Sequence, residues 1–324
     1  MIQYLIEHGA NVHDTMNQHG SKYLIRACEP YIKYLTKYGV DVNKKAVMRI
    51  KINGIKNDHM FDKLEYDAYD YYSFNHYEDK KKVLGTPLII ACKYGNLDLV
   101  KYLIKHGANV NEEMEDGNTA LIVACRFVRC NYNTTIIKYL IEQGADINKK
   151  GLQYMKLNKR YESYNDTEFI EATPLILACL YENDNMIEYL VEHGANINEK
   201  ISIKKYYIEE NISSLSVAFK FNNKNMIKYL IEHGANINEK IDDDSTPLIK
   251  ACEYKYEDIV EYLVDHGANI NEKRYDQISA LSIAFEFQNT NIIKYLIEHG
   301  ANVNEKMEYD VTPLIEAYKY FIIN

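Results

Sequence analysis

A chain of 324 residues that is 47% apolar and 26% charged has the make-up of a globular protein and is too apolar for a disordered one. Its formal net charge of −9 disfavours nucleic acid as a ligand, because binding to a phosphate backbone is driven by clustered Lys and Arg that release counterions. No apolar run approaches the roughly 20 residues that span a bilayer, and the N-terminal stretch has neither the basic nor the apolar region of a secretory leader, so an intracellular, cytoplasmic chain without membrane association is expected.

The first element carries Tyr4-Leu5-Ile6-Glu7-His8-Gly9, and this phrase returns with its glycine at Gly39, Gly107, Gly144, Gly194, Gly234, Gly267 and Gly300. The last copies lie 33 residues apart (267 − 234 and 300 − 267). A second phrase, Thr-Pro-Leu-Ile-x-Ala-Cys, precedes most copies, starting at Thr86, Thr173, Thr246 and Thr312, with variants at Lys22, Thr119, Ser213 and Ser279. In chain order the spacing predicts helix pairs at about 21–43, 83–111, 116–148, 170–198, 210–238, 243–271 and 276–304, flanked by partial units at about 1–13 and 309–324. Insertions at about 45–84, 151–169 and 201–209 lengthen three of the links. The longest is close to one period and reads as a surface excursion, a decayed repeat or a partner-contacting loop, its aromatics Phe61, Tyr66, Tyr69, Tyr71, Tyr72, Phe74 and Tyr77 lying amid acids.

Each segment reads as a helix for a local reason. Thr246 is placed to cap the first helix through its hydroxyl, and Pro247 fits the first turn, where a missing N–H costs nothing. Leu248, Ala251 and Cys252 fall on one helical face, and alanine holds the middle slot in every copy: Ala27, Ala91, Ala124, Ala178, Ala218, Ala251, Ala284 and Ala317. In the second helix Ile227, Leu230 and Ile231 form the apolar stripe, and Gly234 takes the left-handed conformation that ends it.

The period of 33, Thr-Pro-Leu at one helix start and Leu-Ile-x-x-Gly-Ala-Asn-Ile-Asn at the other end resemble ankyrin repeats. The resemblance implies an all-α fold, a solenoid of stacked helix-turn-helix units with finger loops that runs as one domain over 1–324. The wording Tyr-Leu-Ile-Glu-His-Gly-Ala-Asn-Ile-Asn-Glu-Lys is similar to the large ankyrin families of giant mimivirus-like DNA viruses, which implies a host protein as partner. The family usually has His after Thr-Pro-Leu, as a link between repeats; here Ile89, Ile122, Ile176, Ile249 and Ile315, or Ser216 and Ser282, stand there. The family also implies asparaginyl hydroxylation sites at Asn111, Asn148, Asn198, Asn238, Asn271 and Asn304.

Constellations that suggest chemistry have plainer readings. Cys28, Cys92, Cys125, Cys179 and Cys252 share one slot of the first helix, which Phe219, Phe285 and Tyr318 fill elsewhere, so they read as buried reduced thiols; Cys130 alone has no slot. His8, His106, His193, His233, His266 and His299 precede the helix-ending glycine, where positive charge suits the helix dipole, and they sit one to a repeat, too far apart to share a metal. Tyr4, Tyr34, Tyr102, Tyr139, Tyr189, Tyr229, Tyr262 and Tyr295 are expected at the edge of the outer layer with their hydroxyls in water. No catalytic, cofactor or metal motif is found.

The candidate partner-binding residues are Tyr94, Phe127, Tyr181, Phe221, Tyr254 and Phe287, at positions that the family places on the concave groove, together with Arg274 and Tyr275 of a finger. The alternative for this aromatic column is packing, since it lies about 60° from the buried alanines on a helical wheel. The function expected is a non-enzymatic scaffold that binds a protein partner without cofactor or small-molecule substrate. A second reading, a substrate-recruiting adaptor for a ubiquitin ligase, needs a docking segment for which the end at Tyr320-Phe-Ile-Ile-Asn324 leaves no room, and an enzyme would need chemistry hidden in 45–84.

Overall fold

The structure is a computed structural model that describes residues 42–43, 46–47, 84–93, 95–114, 116–126, 131–156, 167–205, 208–241, 244–304, 306 and 311–315. Outside these lie the partial unit at 1–13, nearly all of 21–43, the interior of the insertion 45–84, the tail from 316, and Cys28, Tyr94, Phe127 and Cys130. The chain divides into two compact units, 1–177 and 178–324.

In the first unit β1 (Ala46–Val47) pairs antiparallel with β2 (Leu84–Gly85), so the long insertion departs and returns at one point. Then come the helix pairs α1 (Pro87–Lys93) with α2 (Leu97–Lys105) and α3 (Ala120–Arg126) with α4 (Asn131–Glu142), followed by the hairpin β3 (Gly151–Lys156) and β4 (Thr167–Ala172). The boundary between the units falls inside α5 (Pro174–Leu180). The second unit continues with α6 (Asp184–Glu192), the hairpin β5 (Ile201–Lys205) and β6 (Ile208–Ile212), and the pairs α7 (Ser214–Lys220) with α8 (Lys224–Glu232), α9 (Pro247–Glu253) with α10 (Glu257–Asp265) and α11 (Ala280–Glu286) with α12 (Thr290–Glu298).

Within each unit the first helices pack on first helices and the second on second: α1 on α3 and α2 on α4, then α7, α9 and α11 in one layer beside α8, α10 and α12 in the other. The alanine slot makes this close approach possible, since Ala124, Ala218, Ala251 and Ala284 are wholly buried. The thiol slot is buried as well, at Cys92, Cys125, Cys179 and Cys252, and Phe219 fills it in α7.

Helix starts follow the phrase. Thr86, Thr119, Thr173 and Thr246 accept the N–H three residues on through their hydroxyls, at 3.3 to 3.4 Å. Ser213 and Ser216 close a reciprocal capping box instead. The second helices carry caps that the sequence reading passed over: Asn96, Asn183, Asn223 and Asn289 each accept the N–H of the third residue on, at 3.0 to 3.2 Å. Helix ends rest on glycine. At Gly234, φ is 97°, its N–H reaches the Ile231 carbonyl and that of Ala235 reaches Leu230, while nothing lies within 4 Å of where a Cβ would stand. Backbone conformation rather than space therefore requires glycine there.

The insertions 151–169 and 201–209 each form an antiparallel hairpin. The register runs from Gly151↔Ala172 to Lys156↔Thr167 in one hairpin and from Ile201↔Ile212 to Lys205↔Ile208 in the other. Their roots are buried at Gly151, Ala172, Ile201 and Ile212. A Cβ on Gly151 would collide with Asn118 Oδ1 and the Ile122 side chain, so this root tolerates only glycine.

Candidate functional site

Three columns of side chains run across the repeats. The finger asparagines form the first. Asn111 donates from its amide to the Gly144 carbonyl of the next repeat at 2.9 Å and accepts the Asp146 N–H at 2.8 Å. Asn198 does the same to Gly234 and Asn236, Asn238 to Gly267 and Asn269, Asn271 to Gly300 and Asn302, and Asn43 to Gly107 and Asn109. Both ends of each carboxamide are thus spent on the left-handed turn of the neighbour, a structural duty that sequence reasoning, which treated these asparagines only as modification sites, had missed. The signal was the constant spacing of four residues from each helix-ending glycine, Gly39 onward, to its finger asparagine (111 − 107, 238 − 234 and 271 − 267, for example).

The second column lies on the second helices. His106, His193, His233, His266 and His299 stack on Tyr102, Tyr189, Tyr229, Tyr262 and Tyr295, with ring centroids 3.9 to 4.1 Å apart. Each Nδ1 lies 2.7 to 2.8 Å from the carbonyl of that tyrosine. A carbonyl only accepts, so Nδ1 carries the proton and helps satisfy the last turn. Three of the tyrosine hydroxyls do not simply face water as expected. Tyr229 donates to the Glu188 carbonyl, Tyr262 reaches the Lys228 carbonyl and Glu232, and Tyr295 reaches the Glu261 carbonyl and Asp265. Burial, and then the bond to the Asp265 carboxylate, pushes the Tyr295 phenol up to about 12.

The third column holds the candidate partner residues. Tyr181, Phe221, Tyr254 and Phe287 end the first helices, and each is followed by a residue at positive φ: Glu182 at 52°, Asn222 at 55°, Lys255 at 57° and Gln288 at 52°. Tyr254 and Phe287 are 39% and 38% exposed, whereas Tyr181 and Phe221 are half-buried. The Tyr254 ring lies 5.5 Å from that of Tyr256, and the Lys255 ammonium stands 5.1 Å above Phe287. The four are neither enclosed like Phe219 nor isolated: they line the turns between helices. Left-handed conformation costs a residue with a Cβ about 1–2 kcal/mol, less for Asn, and so these turns hold polar side chains at some expense to the fold.

Beside this column stands the finger over 272–279. Lys273 pairs with Ser279, and Arg274 exchanges backbone bonds with Ile278 and Gln277, which makes a tight hairpin with Tyr275 at its tip, 78% exposed. The Tyr275 N–H donates to Asp244 of the preceding finger at 3.1 Å. Arg274 is turned inward: its guanidinium grips Asp276 at 2.7 and 3.2 Å and Glu253 at 3.0 Å, and Glu253 in turn holds the buried Lys250 at 3.0 Å. That bond to Arg274 also holds the Asp276 carboxyl below the usual carboxylate range. Arg274 therefore braces the finger, and Tyr275 is what the finger presents.

Reactive chemistry has little to stand on among the described residues. Burial raises the Cys92, Cys125 and Cys252 thiols far above their ordinary value and pushes Cys179 up to about 12, the reverse of an activated nucleophile. Among these residues no group of three or more His, Cys, Asp or Glu is placed to hold a metal ion, and no helix is long and apolar enough to cross a membrane. The residues after Thr-Pro-Leu differ from the usual polar link as well. Ile89, Ile122, Ile176 and Ile249 are buried, while the Ser216 hydroxyl turns back to the cap at Ser213.

Comparison with known proteins agrees with this plan. The family model for Ankyrin repeats (3 copies) matches residues 65–151 and 201–274, and that for Ankyrin repeat matches residues 171–201 and 276–308. A search among curated proteins returned no match. Among solved structures, the crystal structure of the human ASB11 ankyrin repeat domain is similar at 24% identity and a TM-score of 0.48, over 73% of this chain and 97% of that one. With helix pairs, left-handed glycine turns and fingers repeating over the matched residues, the chain belongs to the ankyrin-repeat family.

Proposed function

We propose that the protein is a non-enzymatic scaffold that holds a partner protein along its inter-helix turns and finger tips. Ankyrin repeats generally mediate protein–protein interaction, and the observation that carries the reading here is the exposed aromatic series Tyr254, Phe287 and Tyr275; the other exposed large apolar side chains among the described residues, Ile297, Val303, Leu314 and Ile315, are aliphatic. Aromatic anchors bring much contact area at small entropic cost, and one finger residue, Arg274, is committed to fixing one of them in place. Tyr181 and Phe221 extend the same line of turns; Tyr94 and Phe127 belong to it by sequence position alone.

The test begins with affinity capture from expressing cells and continues on whichever partner is recovered. Tyr254→Ala, Phe287→Ala and Tyr275→Ala should each retain the wild-type melting temperature within about 2 °C while weakening that partner by 2 kcal/mol or so at an anchor. Early melting of all three with unchanged binding per folded molecule overturns the assignment. A host protein as partner rests on the giant-virus wording of the repeats, and recovery of ubiquitin-ligase subunits with the bait would favour the adaptor reading. The finger asparagines are proposed as hydroxylation sites as well. Because Asn111, Asn198, Asn238 and Asn271 are bonded at both ends, modification requires the repeat to open, and co-expression with an asparaginyl dioxygenase should add oxygen more slowly to these in the intact chain than in excised peptides.

A further inference from the structure

We propose that the two residues following each finger asparagine form a neighbour code, in which the second residue of one repeat pairs with the first of the next and the sign of the pair restricts which repeats can stack. In the second unit the triplets are Asn198-Glu199-Lys200, Asn238-Glu239-Lys240 and Asn271-Glu272-Lys273. Lys200 pairs with Glu239 at 3.2 Å and Lys240 with Glu272 at 3.2 Å, always from second position to first position of the next repeat. The same ammonium groups also donate to the backbone of the next triplet: Lys200 to the Lys240 carbonyl at 3.3 Å, Lys240 to that of Lys273 at 2.9 Å, and Lys273 to that of Lys306 at 3.4 Å. In the first unit Asn111-Glu112-Glu113 is followed by Asn148-Lys149-Lys150, and the pair between them has the opposite polarity, Glu113 with Lys149 at 2.8 Å. The rung is the same and the charges are exchanged.

Such a code answers a hazard built into the sequence. Residues 136–148 and 226–238 differ only at Ile136/Met226, Gln143/His233 and Asp146/Asn236, so apolar packing scarcely distinguishes these second helices during folding, yet Lys149-Lys150 follows one and Glu239-Lys240 the other. Near-identical repeats are prone to assemble out of order, and a repulsive element against the wrong neighbour is an effective remedy. A repeat ending in Glu113 that stacked on the repeat carrying Glu239 would bring two carboxylates together, and one ending in Lys200 on Lys149 would bring two ammonium groups together. The Glu239 rung discriminates most strongly, because its carboxylate is buried, held by Lys200 on one oxygen and by the Ser213 hydroxyl at 2.5 Å on the other. A buried carboxylate stripped of its cation is costly in a way that an exposed one is not.

The full-length chain carries the test. Lys200→Glu recreates the wrong neighbour in place and should lower the melting midpoint by about 3 °C or more, with Lys200→Gln falling between it and the wild type. Restoring opposite charge in reversed order, K200E/E239K, should recover at least half of the loss. Glu113→Lys, set against Lys149, should lower the midpoint by less, and E113K/K149E should return it to the wild-type value. Since E113K/K149E lies on an exposed rung, that cycle decides the matter should K200E/E239K fail to fold. Purely additive effects around the 113/149 cycle, or a K200E variant as stable as K200Q, overturn the proposal. None of these outcomes depends on the identity of a partner.

Discussion

The pairs α7–α8 and α9–α10 stack on one another within one unit and follow the same backbone plan with different residues. The first helix of one is Ser213-Ser-Leu-Ser-Val-Ala-Phe219 and of the other Thr246-Pro-Leu-Ile-Lys-Ala-Cys252. Ser216 with Phe219 in α7 takes the places that Ile249 with Cys252 hold in α9: small then large in one, large then small in the other, three residues apart on the same face. The same bargain recurs as Ile89 with Cys92, Ile122 with Cys125, Ile176 with Cys179, and Ser282 with Phe285. In the units that start at Thr86 to Ser279 the two slots keep a similar summed volume while their identities change; Ile315 with Tyr318 in the last unit departs from this. Elsewhere the two pairs are unequal. Asn223 caps α8 through its side chain, while Tyr256 in that place leaves α10 uncapped; Asn222 takes the left-handed turn that Lys255 takes at greater cost.

Breaking the volume balance should have the largest effect. Phe219→Cys alone leaves a cavity and should cost about 3 kcal/mol in urea unfolding. Adding Ser216→Ile, which copies the α9 solution, should return at least half of it, even though the capping box is lost. If the double variant is as unstable as the sum of its parts, the slots do not share volume.

Alkali should separate the pairs next. The Cys252 proton is bound more tightly in the folded chain, because burial raises its pKa, so its contribution to stability is complete below the unfolded thiol value of about 8.5 and declines as pH rises above it. Each buried thiol can remove up to about 1.4 kcal/mol per pH unit in that window. Cys252→Ala should flatten the fall in melting temperature between pH 9 and pH 10, roughly, whereas Phe219 contributes nothing there. In the native state at pH 7, thiol reagents should leave Cys92, Cys125, Cys179 and Cys252 unlabelled, and quick reaction of any of them would contradict their enclosure.

Smaller changes sharpen the contrast. Tyr256→Asn installs the cap that α8 already has and should stabilise by about 1 kcal/mol, less whatever the ring loses by giving up the Lys224 ammonium 4.5 Å from its centroid. Lys255→Gly should gain a few tenths of a kcal/mol to about 1, and Asn222→Gly close to nothing, since asparagine already tolerates that conformation. Both are readable by chemical denaturation, and equal gains at the two turns would show that left-handed strain is not what distinguishes them.

Much of the helical plan was legible because each signal is local. A Thr-Pro start, a period of apolar residues and a terminal glycine act within one turn of chain, and Thr246, Pro247 and Gly234 do what their chemistry dictates wherever the rest of the molecule lies. The seams were not legible for the complementary reason. Asn238 finds its partners at Gly267 and Asn269, and Tyr295 finds Asp265, only once the next repeat is stacked. The hairpins escaped notice because their strands are short and charged: Ile201-Ser-Ile-Lys-Lys205 alternates over too few residues to stand out from a polar link. At the candidate face, the sequence offered Arg274 and Tyr275 as equals, and only the bonds to Glu253 and Asp276 show that one braces and the other presents.

The buried roots of the two hairpins have a consequence for how such a chain can change over generations. Gly151 opposite Ala172, with Ile170 buried two residues along, and Ile201 opposite Ile212 anchor each ribbon in the helical layers, and the rungs nearer the tip extend it from that anchor. Inserting or deleting residues in matched pairs near the tip alters the reach of the ribbon without shifting a cap, a glycine or a finger asparagine, because the register at the root is preserved. The ribbons thus act as adjustable arms on a constant frame, where new contact surface can be acquired by changes of length alone, leaving the repeats untouched.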